Sequence, residues 1–105
     1  AMSYRRRLAG RDSRLQQGAG EAWQTMTLNV LVPEGAADAT TRRLDEAGVE
    51  WRRWWGLGTH RHPVFADLPR LDLGVTEMLA PRLIGVPFHE DLTEGEIERV
   101  VSCLP

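Results

Sequence analysis

At 105 residues, with 42% apolar and 27% charged side chains, the chain has the composition of one ordinary globular domain. A formal net charge of −2 gives no electrostatic reason to expect nucleic acid or an anionic membrane as partner, and no apolar run approaches a membrane span. The single cysteine, Cys103, cannot close an intrachain disulfide, and Tyr4-Arg5-Arg6-Arg7 lacks the apolar run of a signal peptide, so a cytoplasmic location is expected.

Tyr4 and Leu8 share a face at i,i+4 spacing, which predicts the end of a helix with Gly10 available to cap it. Residues 11–20 read as a turn-rich connection with a short edge strand around Leu15. The clearest strand is expected from Trp23 to Val32, where Met26, Leu28, Val30 and Val32 alternate with Thr25, Thr27, Asn29 and Leu31. Pro33-Glu34-Gly35 ends it.

A helix is expected from Ala37 to Ala47, with Ala37, Thr40, Leu44 and Ala47 on one face and Asp38 and Arg42 spaced to pair on another. Gly48 stands where a left-handed cap is needed. Val49 to Trp55 reads as a second strand, with Trp51 and Trp55 opposing Trp54, and residues 56–74 as a long loop. A helix follows from Thr76 to about Ile84, which Pro81 should kink or shorten. Val86-Pro87-Phe88 reads as a short extended piece. Thr93 and Glu96 have capping-box spacing, and Ile97, Val100, Val101 and Leu104 form the buried stripe of a last helix. This order predicts an α+β fold, a small antiparallel sheet with helices packed on one face.

Three groups of residues invite a functional reading. His60-Arg61-His62, with His89, offers metal-ligand chemistry, but no third ligand with a supporting shell is visible, and ordinary loop histidines explain the pattern. Arg5, Arg6, Arg7, Arg11 and Arg14 could meet phosphate, yet without interleaved aromatics they read as a solvated helix end. Trp51-Arg52-Arg53-Trp54-Trp55 cannot turn every ring into one core, so part of it must meet other chain, a partner or a ligand. All thirteen basic residues are arginine. Without lysine the chain has no side-chain amine for a Schiff base, and no catalytic residue is assigned.

The segment from Gly48 through Val49-Glu50-Trp51-Arg52-Arg53-Trp54-Trp55 to His60-Arg61-His62-Pro63-Val64-Phe65 resembles the small-domain segment of the DegT/DnrJ/EryC1/StrS sugar aminotransferases. The likeness continues through Val75-Thr76-Glu77-Met78-Leu79-Ala80 and Leu83-Ile84-Gly85-Val86-Pro87-Phe88-His89. It closes on Leu92-Thr93-Glu94-Gly95-Glu96-Ile97. Upstream, residues 1–12 resemble the end of the helix joining the two domains of such enzymes, and 13–105 the C-terminal small domain.

The resemblance implies a parent that transfers an amino group from an amino acid to a nucleotide-bound keto sugar, using pyridoxal phosphate (PLP) on a lysine. It implies homodimers with shared active sites, and some relatives dehydrate on the same scaffold. The PLP-binding residues belong to the large domain, so this chain is expected to hold no cofactor and to catalyse nothing alone. By the same resemblance His60 lies near the substrate mouth, Arg52 has an orienting or anion-binding role, and Trp55 stands where a tyrosine is common. Trp51 replaces a small hydroxyl residue. The large PLP-binding domain, a second subunit and a nucleotide sugar are the implied partners, and the cut surface is expected to self-associate through a tryptophan set and the Tyr4/Leu8 stripe. The alternative is a free-standing binding or regulatory module derived from that domain.

Overall fold

Alternation builds the centre of the sheet. Leu28 and Val30 turn inward from the strand Leu28–Leu31 (β2) and are buried, while Asn29 and Leu31 on the opposite face are half-buried. The computed structural model describes residues 1–105. On one side β2 pairs antiparallel with Arg14–Leu15 (β1), in register Leu15 to Val30. On the other it pairs antiparallel with Leu83–Val86 (β3), in register Leu28 to Val86 and Leu31 to Leu83. The expected strand at Trp23–Val32 is therefore shorter at its start: Trp23 makes only an isolated bridge to Ala19, and Met26 is 95% exposed.

Four α-helices complete the fold: Met2–Leu8 (α1), Ala37–Glu46 (α2), Gly74–Leu79 (α3) and Glu94–Ser102 (α4). Tyr4 and Leu8 of α1, Leu44 of α2 and Ile97, Val100 and Val101 of α4 join Leu28, Val30, Val32, Ile84 and Val86 in one apolar cluster. The fold is α+β, as expected. The Tyr4/Leu8 stripe is the correction: both residues are buried within this chain, at 1% and 6% exposure, and are not free to drive self-association.

Local chemistry sets the helix ends. Gly48 (φ +66°) closes α2, its N–H donating to the Asp45 carbonyl while Val49 N–H donates to that of Leu44. Asp38 does not meet Arg42; its nearest cationic partner is Arg53, at 3.9 Å. At α4, Thr93 Oγ1 accepts from Glu96 N–H at 3.2 Å and Glu96 Oε2 accepts from Thr93 N–H at 2.8 Å, the reciprocal box read from spacing. Gly10 turns the chain after α1, which ends at Leu8 with Ala9 as its cap.

Two elements depart from expectation. Val49–Trp55 forms no ladder; only Arg52 pairs, antiparallel with Gly85. Glycines at 56 and 58, with φ of +56° and +106°, turn the chain away before a second pair can form. The helix expected over Thr76–Ile84 instead starts at Gly74 and stops at Leu79, and Pro81 sits in a single 3₁₀ turn, Ala80–Arg82, that feeds β3. Proline removes the amide that the next helical turn would need. The extended piece accordingly runs Leu83–Val86 rather than Val86–Phe88. The loop 56–74 contains two further 3₁₀ turns, Thr59–Arg61 and Pro63–Phe65.

Candidate functional site

The tryptophan segment is fastened by backbone at one residue. Arg52 N–H donates to the Gly85 carbonyl at 2.9 Å, and Gly85 N–H returns the bond at 2.7 Å. Trp54 lies directly over Gly85, so close that a Cβ there would sit 2.4 Å from its indole nitrogen. Trp51 donates from Nε1 to Asp45 Oδ1 at 2.8 Å and packs against the core. Since the chain turns after Arg53, the three rings do not divide into two strand faces. Trp51 is anchored, Trp54 is half-exposed over β3, and Trp55 is 73% exposed.

Of the three residues singled out for substrate binding, Arg52 stands apart, while Trp55 and His60 both flank Gly58 and Thr76. Arg52 borders a cleft of about 520 Å³ with Trp51, Trp54, Phe88, His89 and Arg99, its guanidinium donating to the Trp51 carbonyl and facing Glu50 at 3.4 Å. Trp55 borders a smaller hollow of about 200 Å³ with Asn29, Gly58, Thr76 and Leu79, beneath the outer face of the sheet. His60 is turned inward. Its side chain is only 7% exposed, and Nε2 lies 3.2 Å from Glu77 Oε1 on α3. Arg61 reaches the same oxygen at 3.2 Å.

The other polar candidates have structural partners. His62 Nδ1 accepts from Val64 N–H at 3.3 Å, capping the Pro63–Phe65 turn, and its ring tilts against Phe65 at 5.7 Å. No three histidine, cysteine, aspartate or glutamate side chains converge as a metal site would require. Among the basic cluster, Arg7 bridges Glu94 at 2.6 Å and Glu98 at 2.9 Å, Arg5 meets Glu21 at 3.3 Å, and Arg11 donates to the Leu104 carbonyl. These arginines tie elements together. Cys103 is buried, its sulfur donating to the carbonyls of Arg43 and Arg99. Glu77 was not among the sequence candidates. Seventeen residues separate it from His60, and a glutamate on a short helix carries no motif.

Anchoring PLP as a Schiff base needs an amine; with every basic residue an arginine, these residues do not fit that cofactor. No helix is long and apolar enough to cross a membrane.

The model of the DegT/DnrJ/EryC1/StrS aminotransferase family matches residues 1–105. Protein Rv3402c of Mycobacterium tuberculosis (strain ATCC 25618 / H37Rv) is 26% identical over 105 residues, covering 96% of this chain and 26% of its own length. Protein Mb3436c of Mycobacterium bovis (strain ATCC BAA-935 / AF2122/97) gives the same figures. The chain thus spans about a quarter of the length of the curated relatives it matches. A crystal structure from Bacillus cereus ATCC 10987, of a protein assigned as a PLP-dependent aminotransferase, superposes with a TM-score of 0.79 at 21% identity. That superposition covers 97% of this chain and 29% of the other, and shows a shared fold. With the family model matching from first residue to last, the chain belongs to the DegT/DnrJ/EryC1/StrS aminotransferase family.

Proposed function

We propose that the chain acts as the C-terminal small domain of a PLP-dependent nucleotide-sugar aminotransferase in the cytoplasm, completing the substrate mouth and part of the dimer interface without catalysing a reaction alone. Residues 1–12 are the end of the interdomain helix and 13–105 the small domain. PLP and the lysine that carries it belong to the large domain. The carrying observation is the family match across all 105 residues of a chain that spans a quarter of its relatives.

The exposed apolar surface supports the same reading. Of twelve large hydrophobics left exposed, nine lie between Trp54 and Met78. A monomer seldom leaves so much apolar surface together, whereas an interface uses it. In this reading the segment meets the large domain and a second subunit, with Arg52, Trp55 and His60 near the nucleotide sugar.

The test uses the full enzyme with a nucleoside-diphosphate keto sugar. Arg52→Ala and His60→Ala are expected to raise KM by roughly tenfold, the scale of a lost charge-assisted hydrogen bond, with the cofactor's absorbance unchanged. Unaltered KM in both variants sinks the substrate-mouth reading. One observation favours the second reading, a free-standing binding module: α1 buries Tyr4 and Leu8 against this domain's own core. An open reading frame that continues upstream into a lysine-bearing large domain decides for the first reading; a stop codon directly upstream decides for the second.

A further inference from the structure

We propose that Glu77 is the positioning residue of the 58–61 turn, fixing the orientation and the protonated nitrogen of His60. The inference rests on the reading of His60 as a substrate-mouth residue for its purpose, but not for its geometry. Two constraints meet at the imidazole. Beneath it lies Gly58, at φ +106°, where a Cβ would stand 2.7 Å from both Nδ1 and Cε1, so only glycine lets the ring settle this low. The Thr76 methyl closes the other side of the space above Gly58, 3.2 Å from where that Cβ would be. Beside Cε1, the ring's Nε2 lies 3.2 Å from Glu77 Oε1.

An ionised carboxylate only accepts, so the proton of a neutral ring must reside on Nε2, and Nδ1 carries the lone pair. The same oxygen also takes Arg61 Nη2 at 3.2 Å. One carboxylate therefore gathers two of the three residues of the Thr59–Arg61 turn onto α3. The His60 side chain is 7% exposed against 46% for Glu77 and 59% for Arg61, so the imidazole is the enclosed member and the other two form its rim. Because residues 59–61 bury nothing in the core, this polar clamp, with the glycine floor, is what aims the ring.

Nitrogen-15 NMR of the 105-residue chain, above the titration of the imidazole, tests the assignment. The wild type is expected to show His60 protonated on Nε2. In Glu77→Ala the ring should populate both tautomers, whereas Glu77→Gln, whose side-chain oxygen still accepts, should restore the wild-type signature. Glu77 is half-exposed, so neither variant threatens the core. In the full enzyme, Glu77→Ala is expected to raise KM for a nucleoside-diphosphate keto sugar roughly two- to fivefold, the range of a half-exposed pair, and to add nothing in a His60→Ala background. A proton on Nδ1 in the wild type, or a tautomer indifferent to Glu77→Ala, overturns the proposal. If the tautomer follows Glu77 while His60→Ala leaves KM unchanged, the positioning role stands and the substrate-mouth reading fails.

Discussion

Substituting Gly85 by alanine tests the seat on which the tryptophan segment rests. Gly85 lies within β3, without a positive φ, so alanine is allowed by the backbone and should reduce the freedom of the unfolded chain, a gain of about 0.4–1 kcal/mol. The new methyl, however, would stand 2.4 Å from Trp54 Nε1, 2.6 Å from its Cδ1 and 3.0 Å from the Arg52 carbonyl oxygen. Comfortable separations for such atoms are about 3.5–4.0 Å, so the indole must retreat by about 1 Å or swing into solvent. Trp54 is 48% exposed. Losing its remaining cover, about 100 Å² of a tryptophan's surface, costs at most about 2.5 kcal/mol at 25 cal/mol per Å². A partial retreat keeps some of that contact. The net expectation is a loss of about 1–1.5 kcal/mol, or a fall in Tm of about 5 °C per kcal/mol for a domain of this size. Urea unfolding of Gly85→Ala, Trp54→Ala and the double variant reads the coupling directly. With the indole removed, alanine at 85 should cost close to nothing, giving a coupling of about 1–2 kcal/mol. Additive costs in the double variant would refute the seat.

Burial raises the Tyr4 hydroxyl to about 12, and its O–H donates to the Pro87 carbonyl at 2.8 Å. Its contribution is whole below pH 10 and fades as pH rises from 10 through 12, so Tyr4→Phe should cost about 0.5–1.5 kcal/mol at neutral pH and flatten the alkaline limb of a pH–stability curve. Glu96 is held below the ordinary carboxylate value, chiefly by the Thr93 backbone N–H and then by its hydroxyl, so its support for α4 is present above pH 4.5 and lost as pH falls further. Glu96→Gln keeps an acceptor in the box and should shrink, not abolish, that acid loss, because Glu94 is lowered by the Ser3 hydroxyl and nearby arginines in the same sense. Sedimentation at rising concentration should show the chain self-associating and Trp55→Ser weakening it; a strictly monomeric wild type refutes an interface role for this surface. Incubation with PLP and borohydride should leave no cofactor on an internal residue, and stoichiometric incorporation at one such site would overturn the argument from the absent lysine.

What could be read from the sequence depended on how locally each feature is determined. The box of Thr93 and Glu96 spans three residues, and Gly48 follows its helix at once, so both were visible as spacing. Val49–Trp55 misled because tryptophan suits a strand, while the decision against one came from glycines just beyond it and from the single pairing with Gly85. Leu79, Leu83 and Ile84 fit helical spacing well enough to hide β3. Pro81 carried the contrary signal, which only the neighbouring strand made decisive. The candidate site was legible as a list of residues, not as an arrangement. Arg52 proved to line one cleft while Trp55 and His60 flank Gly58 and Thr76 elsewhere, and the partner that holds His60 lies on another element.

The fold closes late. Arg7 reaches Glu98 across 91 positions, Ser3 donates to Glu94 across as many, Arg11 is fastened to the Leu104 carbonyl, and Ser13 N–H donates to that of Pro105. During synthesis the first helix therefore emerges long before the residues that fasten it to the C-terminus. The entropic cost of closing so long a loop must be met before any of these contacts forms. A nascent chain halted before Glu94 still lacks the ties from Arg7 to Glu94 and Glu98 and from Ser3 to Glu94 that fasten the first helix to the last.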